Sequence, residues 1–268
     1  MSVVTPRLTV ERRLLREHEI VIACDEVGRG ALAGPVAVGA AALGPAAARR
    51  RIPEGLRDSK LVAAHRRHDV AARAAAWVDA SAVGWASSAE IDEVGIMRAL
   101  GLAALRALGE LRAQGFVPDD AIVILDGNHD YITAAGGSGL RVQPIIKADR
   151  DCASAAAASV MAKVARDDLM VRLHEEHPVY LWERNKGYAS TEHRSAIRSH
   201  GLSPQHRASW AIADAPTLFG ADAAASARLL RPHRMGPPWT TRALTTTTAN
   251  SSWRCTRSTA MSCRSSLT

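Results

Sequence analysis

The chain has 268 residues, 47% hydrophobic and 23% charged, a balance that excludes collagen, coiled-coil and wholly disordered classes and suits an ordinary globular protein. Its formal charge of +7 is uneven: residues 223–268 hold seven arginines and no acid, while the rest of the chain carries 27 basic against 27 acidic residues, so nucleic-acid binding by the body must rest on clustered charge. Four cysteines, at 24, 152, 255 and 263, are too few for a disulfide framework and lack zinc spacing, and no signal peptide or membrane span is read, so a cytoplasmic protein with reduced thiols is expected.

Apolar patterning predicts the elements in order. Residues 19–24 read as a first strand that ends in a turn, Asp25-Glu26-Val27-Gly28-Arg29-Gly30, and 35–43 as a strand returning antiparallel to it. An alanine-rich helix over 63–78 is followed by a strand at 80–87. Ile91, Val94, Met97, Leu100, Leu105 and Leu108 recur at helical spacing and predict one long helix over 89–111, with Pro118 closing the connection. The unbroken apolar run 121–125 reads as a strand buried on both faces, stopping at Asp126. A strand at 141–146 stops at Lys147-Ala148-Asp149, a second long helix spans 152–175, and a shorter one covers 191–200 with Gly201 as its C-terminal cap. Residues 1–222 are expected to form one domain and 223–268 a disordered basic Ser/Thr/Arg tail.

Four acids, Asp25, Glu26, Asp126 and Asp149, stand where apolar strands end. Singly, such an aspartate is a turn former or helix cap. Together on neighbouring strands, carboxylates repel and call for cations, and hard oxygen donors suit Mg2+ or Mn2+. Adjacent strand residues face opposite sides, so Asp25 and Glu26 are expected to share a site through a turn at that point, made possible by Gly28 and Gly30.

The run Asp25-Glu26-Val27-Gly28-Arg29-Gly30-Ala31-Leu32-Ala33-Gly34-Pro35-Val36 resembles the opening motif of bacterial ribonuclease HII. The resemblance continues in family order through Asp58-Ser59-Lys60-Leu61, Glu90-Ile91-Asp92, Leu125-Asp126-Gly127-Asn128, Lys147-Ala148-Asp149, the alanine-rich run from 155 to Asp167, Asn185-Lys186-Gly187-Tyr188 and His200-Gly201-Leu202-Ser203-Pro204-Gln205-His206-Arg207. It implies an α/β, ribonuclease H-like fold, a mixed five-stranded sheet flanked by helices with further helices toward the C-terminus. It also implies an endonuclease acting on RNA-DNA hybrids and on ribonucleotides embedded in duplex DNA. By matching position, the metal-binding carboxylates fall on Asp25, Glu26, Asp126 and Asp149, the loop that reads the 2′-hydroxyl on Gly28, Arg29 and Gly30, and the tyrosine that packs on the sugar on Tyr188. Arg29, Lys60, Lys147 and Lys186 are expected to meet phosphates. Two divalent ions, Mn2+ or Mg2+, about 3.5–4 Å apart, are expected to activate water and stabilise the leaving 3′-oxygen, giving a 3′-hydroxyl and a 5′-phosphate. A monomer is assumed.

Ala189-Ser190 and Ala148 depart from the family pattern, and the short segment before the first strand disfavours the ribonuclease HIII branch. Other residues read as structural: Asp58, Asp92 and Asp167 as a turn, a helix start and a helix surface, His193 and His206 as residues that orient helices, Cys24 and Cys152 as small buried hydrophobes. Two rivals remain at this point, a DNA-cutting polynucleotidyl transferase on the same scaffold and a binding module without catalysis.

Overall fold

The computed structural model describes residues 5–116 and 121–210, so the expected turn at Pro118 and the expected tail 223–268 lie outside the described residues. Strands β1 (Ile20–Val27), β2 (Val36–Leu43), β3 (Ala80–Ala86), β4 (Ala121–Asp126) and β5 (Arg141–Ile145) form one sheet in the order β3-β2-β1-β4-β5. β2 is antiparallel to β1 and β3, whereas β1, β4 and β5 are parallel, which makes the sheet mixed as expected. All eight residues of β2 are buried, since helices cover both faces, and this explains its unbroken apolar sequence.

Helix α4 (Ile96–Ala113) covers one face of the sheet with Leu100, Ala103, Ala104, Ala107, Leu108 and Leu111, meeting Ile22, Cys24, Val38 and Val123. The other face is covered by α7 (Ala153–Glu176), backed by α2 (Arg67–Trp77) and α1 (Thr9–Leu14). Both sheet-covering helices approach backbone to backbone at a glycine. A Cβ on Gly84 of β3 would lie 1.9 Å from the Ala103 carbonyl oxygen of α4, and one on Gly39 of β2 would lie 2.4 Å from the Ala158 carbonyl oxygen of α7. Small residues on these helices serve that approach.

The charged stretch at the N-terminus forms α1, which the sequence pattern did not suggest. Its Glu11 is fully buried, and one carboxylate oxygen accepts from the Ser154 N–H at 2.9 Å and the Ser154 hydroxyl at 2.8 Å. Cys152, the residue at the start of α7, makes no side-chain cap, so Glu11 satisfies that helix end from a distance. Its pKa is raised by burial, against the pull of these hydrogen bonds.

Several boundaries differ from expectation. The single helix expected over 89–111 is two, α3 (Ser88–Val94) and α4, because Gly95 takes φ 78° and breaks the ladder; a capping box between Ser87 and Glu90 starts α3. Asp92 lies within α3 rather than at its start, accepting from the N–H groups of Ala208 and Ser209. The helix expected over 63–78 opens as a 3-10 turn, Ala64–Arg66, before α2. The short α5 (Tyr131–Ala134), α6 (Ala148–Asp151) and α8 (Trp182–Asn185) fall below the length at which apolar periodicity is readable. α9 (Thr191–His200) matches expectation, with Gly201 at φ 74° after it. Among the described residues no helix is long and apolar enough to cross a membrane.

Gly84→Ala is expected to destabilise the chain by about 1–3 kcal/mol through overpacking. Gly109→Ala, at an exposed position of α4 where a Cβ meets nothing within 4 Å, is expected to be neutral or stabilising by up to about 1 kcal/mol. Urea unfolding of the two variants checks this pair, and equal effects would show that the close approach is not tight.

Candidate active site

Strand register brings the first two carboxylates together. The parallel pairing of β1 with β4 runs to Cys24 and Leu125, so the next residues, Asp25 and Asp126, lie side by side at the carboxyl ends of neighbouring strands. Val21 and Ala23 on β1, and Ile122 and Ile124 on β4, pack on the α7 side, so alternation puts both aspartates on that same face. The β4–β5 pairing ends at Asp126 and Ile145, and the chain then turns through Lys147, at φ 61°, into α6, which carries Asp149. The Asp149 N–H donates to Asp126 Oδ1 at 3.2 Å, so the third carboxylate is seated on the second.

Glu26 arrives differently from expectation. β1 does not turn at Asp25 but stays extended through Val27, pairing Asp25 with Gly39 and Glu26 with Val38. Glu26 therefore faces the other layer, where the Tyr131 hydroxyl donates to it at 3.4 Å and Arg29 pairs with it at 3.6 Å. β4 stops at Asp126, two residues short of the end of β1 in register, so the cluster wraps the end of the sheet rather than lying on one face.

The electrostatics follow from burial and crowding. Asp25, only 7% exposed, has its pKa raised well above the carboxylate range by loss of water; hydrogen bonding from the Ser159 hydroxyl opposes this, and Glu26, Asp126 and Asp149 add to it. Glu26 is raised by burial and by Asp126, against the pull of Arg29. Asp149 is raised to about 6, by burial first and then by Asp126 and Asp58, with Lys60 opposing. Among the described residues no three His, Cys, Asp or Glu side chains are already gathered as ligands about one point. The donor set nevertheless suits a hard divalent cation: four carboxylates in mutual electrostatic reach, with three of them holding protons more tightly than free acids do.

A glycine loop continues directly from the carboxylates. Gly28 turns the chain at φ 85°, and a Cβ there would lie 2.1 Å from Arg166 Nε, whereas one on Gly30 would meet nothing within 4 Å among the described residues. The loop is thus packed on one side and open on the other. Two fully buried arginines hold it. Arg207 donates to the carbonyls of Gly28 at 2.7 Å, Arg29 at 2.8 Å and Gly34 at 3.1 Å; Arg166, from α7, donates to Pro35 at 2.9 Å, Ala33 at 3.2 Å and Lys186 at 3.0 Å. Burial lowers both pKa values, that of Arg207 to about 9 with Arg166 adding to the effect. The Gly187 carbonyl accepts from Leu32 and Ala33, which ties the neighbouring Tyr188 to the same loop, and the Arg166 guanidinium sits 5.5 Å from the centre of the Tyr188 ring.

The expected lysines are dispersed. Lys60 faces the cluster: burial alone would lower its pKa, but Asp58, Asp149, Asp25 and Asp126 outweigh that and raise it. Lys147 is exposed two residues before Asp149, and Lys186 folds back to donate to the Glu183 carbonyl. Asp167 is not a plain surface residue, since it is paired with Lys163 at 2.7 Å and Arg67 at 3.6 Å. Cys24 and Cys152 are buried, with both thiols pushed up to about 12 mainly by burial, and so behave as the small hydrophobes expected. In the sequence Arg166 and Arg207 stand only inside longer motifs, the alanine-rich run ending at Asp167 and the run from His200 to Arg207. The available signal was an arginine interrupting a helix of buried small residues, since a buried charge needs a built reason.

A carboxylate with a raised folded pKa binds its proton more tightly folded than unfolded, so its cost to stability is absent well below the unfolded value of 3.8, grows as pH rises from there to about 6 and is full above that. In chelator, Asp149→Asn is therefore expected to unfold at higher urea than the parent at pH 8, by about 1–2 kcal/mol, with the difference shrinking steadily below about pH 6 and vanishing near about pH 3. An equal difference at both pH values would remove the assigned strain.

Residues 22–213 match the family model described as Ribonuclease HII. The chain is 46% identical over 212 residues to Ribonuclease HII of Streptomyces coelicolor, covering 78% of this chain and 85% of that protein. It superposes on a chain of the PCNA:RNase HII complex from Archaeoglobus fulgidus with TM-score 0.58 at 25% identity, covering 71% of this chain and 95% of that one. Bst-RNase HIII in complex with Mn2+ shares the fold with TM-score 0.60 at 20% identity, covering 78% and 71%. With the sheet order, the clustered strand-end acids and this likeness in agreement, the chain belongs to the ribonuclease HII family and is a type 2 ribonuclease H, an endonuclease.

Proposed function

We propose that the protein is a divalent-metal-dependent endoribonuclease that cleaves RNA in RNA-DNA hybrids and incises on the 5′ side of ribonucleotides embedded in duplex DNA, leaving a 3′-hydroxyl and a 5′-phosphate. The observation that carries this reading is the juxtaposition of Asp25, Glu26, Asp126 and Asp149 with the loop at 28–30, whose Arg29 pairs with Glu26. The four carboxylates would hold Mn2+ or Mg2+. Bound there, such ions supply the positive charge that acidifies a water and offsets charge on the leaving 3′-oxygen.

The chain's own residues do the rest. Only the 2′-hydroxyl distinguishes a ribose from a deoxyribose at a given position, so discrimination needs hydrogen-bonding groups brought close to it. The backbone of Gly28, Arg29 and Gly30 suits that task, because glycine at 30 leaves the outer side of the loop free of side-chain bulk. Tyr188, 36% exposed and tied to the same loop through Gly187, presents a ring on which a sugar can pack. Lys60 stands beside the carboxylates as a phosphate partner, with Arg29, Lys147 and Lys186 as further cations that make affinity fall with salt.

Asp126→Asn and Asp149→Asn are each expected to lower cleavage by about a thousandfold or more, the scale of losing one strong transition-state charge interaction, while fold and hybrid binding persist. Three labelled duplexes with Mg2+ or Mn2+ test the whole reading: one with a single ribonucleotide, an RNA-DNA hybrid and an all-DNA control. Incision only 5′ to the ribonucleotide and within the hybrid is expected. Cleavage of the all-DNA control would move the assignment to a DNA nuclease, and tight hybrid binding without turnover to a binding module.

A further inference from the structure

Beneath Tyr188 lies a buried aromatic cluster that the cleavage chemistry does not use. The rings of Tyr180 and Trp182 stack at 5.1 Å, His206 meets Tyr180 edge-on at 4.6 Å, and His193 and His206 have centres 5.3 Å apart. Both imidazoles are buried, at 0% and 3% exposure, among polar atoms that leave them little choice of protonation.

Two groups in the cluster can only donate. The Trp182 indole Nε1–H points at His193 Nε2 at 3.0 Å, so that nitrogen must carry the lone pair and the proton of a neutral His193 must sit on Nδ1. That Nδ1–H donates to the Tyr188 carbonyl at 2.8 Å. At the other end, the backbone N–H of Ser203 points at His206 Nδ1 at 2.9 Å, which places the proton of His206 on Nε2. That proton faces His193 Nε2 at 3.2 Å. The two obligate donors therefore set opposite tautomers in the two rings and give the whole chain of hydrogen bonds one direction, from Ser203 through His206 and His193 to the main chain of Tyr188.

A positive charge on either ring would turn an acceptor into a donor and set two N–H groups against each other. Burial agrees with neutrality, holding His193 below the ordinary histidine range and His206 at about 4, with His193 adding to the latter.

We propose that His193 and His206 are positioning residues for substrate recognition: a neutral pair locked in opposite tautomers that fixes the Tyr188 main chain and so the place of its ring. The proposal rests on the reading of Tyr188 as the residue that packs on the sugar. The His193 bond adds a side chain to the backbone bonds at Tyr188, whose N–H donates to the Asn185 carbonyl at 2.9 Å and whose carbonyl also accepts from the Ser190 N–H at 2.8 Å, just before the exposed Ala189.

Long-range 1H–15N spectra of the full-length protein in chelator at pH 7 read the tautomers directly, with His193→Asn and His206→Gln used for assignment. The expected result is a proton on Nδ1 of His193 and on Nε2 of His206. The same tautomer in both rings, or a charged ring, overturns the proposal, and no variant that fails to fold can hide that outcome. A double-mutant cycle supplies the functional arm, read as kcat/KM on a duplex with one ribonucleotide. His193→Phe is expected to cost about tenfold, the scale of one net hydrogen bond, with His193→Asn recovering most of it through an amide donor near the Nδ1 position. In a Tyr188→Ala background the His193→Phe loss should vanish, because its route to substrate has gone. A loss that persists unchanged in that background makes the pair merely structural and sinks the proposal. Unchanged kinetics in Tyr188→Ala alone would instead remove the sugar-packing reading, and the relay's purpose with it, even with opposite tautomers observed.

Discussion

The approach of α7 to the sheet sets where every part of the site can stand. With alanine at 155–158 and glycine at 39, the helix comes close enough to β2 that a Cβ on Gly39 would lie 2.4 Å from the Ala158 carbonyl oxygen. From that seat Ser159 reaches Asp25, and Arg166, two turns further on, reaches the carbonyls under the glycine loop. Close-packed interiors pass displacements on rather than absorbing them, so a shift of the helix would be felt at both places. Glu11 secures its start by serving as the cap that the local sequence lacks.

Two kinds of unfavourable charge are stored around that helix. The carboxylates at the sheet end are crowded and partly dehydrated, while Arg166 and Arg207 are buried against carbonyl oxygens, with no carboxylate bonded to either guanidinium among the described residues. Guanidinium tolerates this arrangement because its planar fork can satisfy several carbonyls at once and is weakly hydrated. The opposite charges are kept apart, the acids left to be answered by cations and the arginines fully engaged in shaping the backbone. Such sites are commonly built at the expense of stability.

Much of this was legible in advance, and the reasons are local. β2 and β4 are short apolar runs bounded by turn signals, and the acids at the ends of β1 and β4 stand out because they close such runs. The break at Gly95 was not legible, since apolar spacing carries straight through it and glycine inside a helix pattern is tolerated. The extension of β1 through Val27 was hidden for the opposite reason: two consecutive acids look like a turn, and only the pairing with β2 keeps them extended. α1 owes its helix to the burial of Glu11 against Ser154, 143 residues away, a contact no window of sequence contains. The part played by the buried arginines was hidden on the same ground, and His193 and His206 read only as residues that orient helices, because their partners are carbonyls and rings set by tertiary structure.

The loop at 28–34 is fastened by groups that come much later in the chain: Arg166 at a separation of 131–133 residues, Arg207 at 173–179, and Gly187 through its carbonyl. Contacts between residues so distant in sequence carry a large loop-closure cost and form slowly. On a ribosome the acids of β1, β4 and α6 can emerge and pair while Arg207 is still unsynthesised, so the carboxylates precede the finished glycine loop. Fastening that loop would then be a late step for the growing chain, and truncation short of residue 207 would leave the carbonyls of Gly28, Arg29 and Gly34 without the guanidinium that holds them.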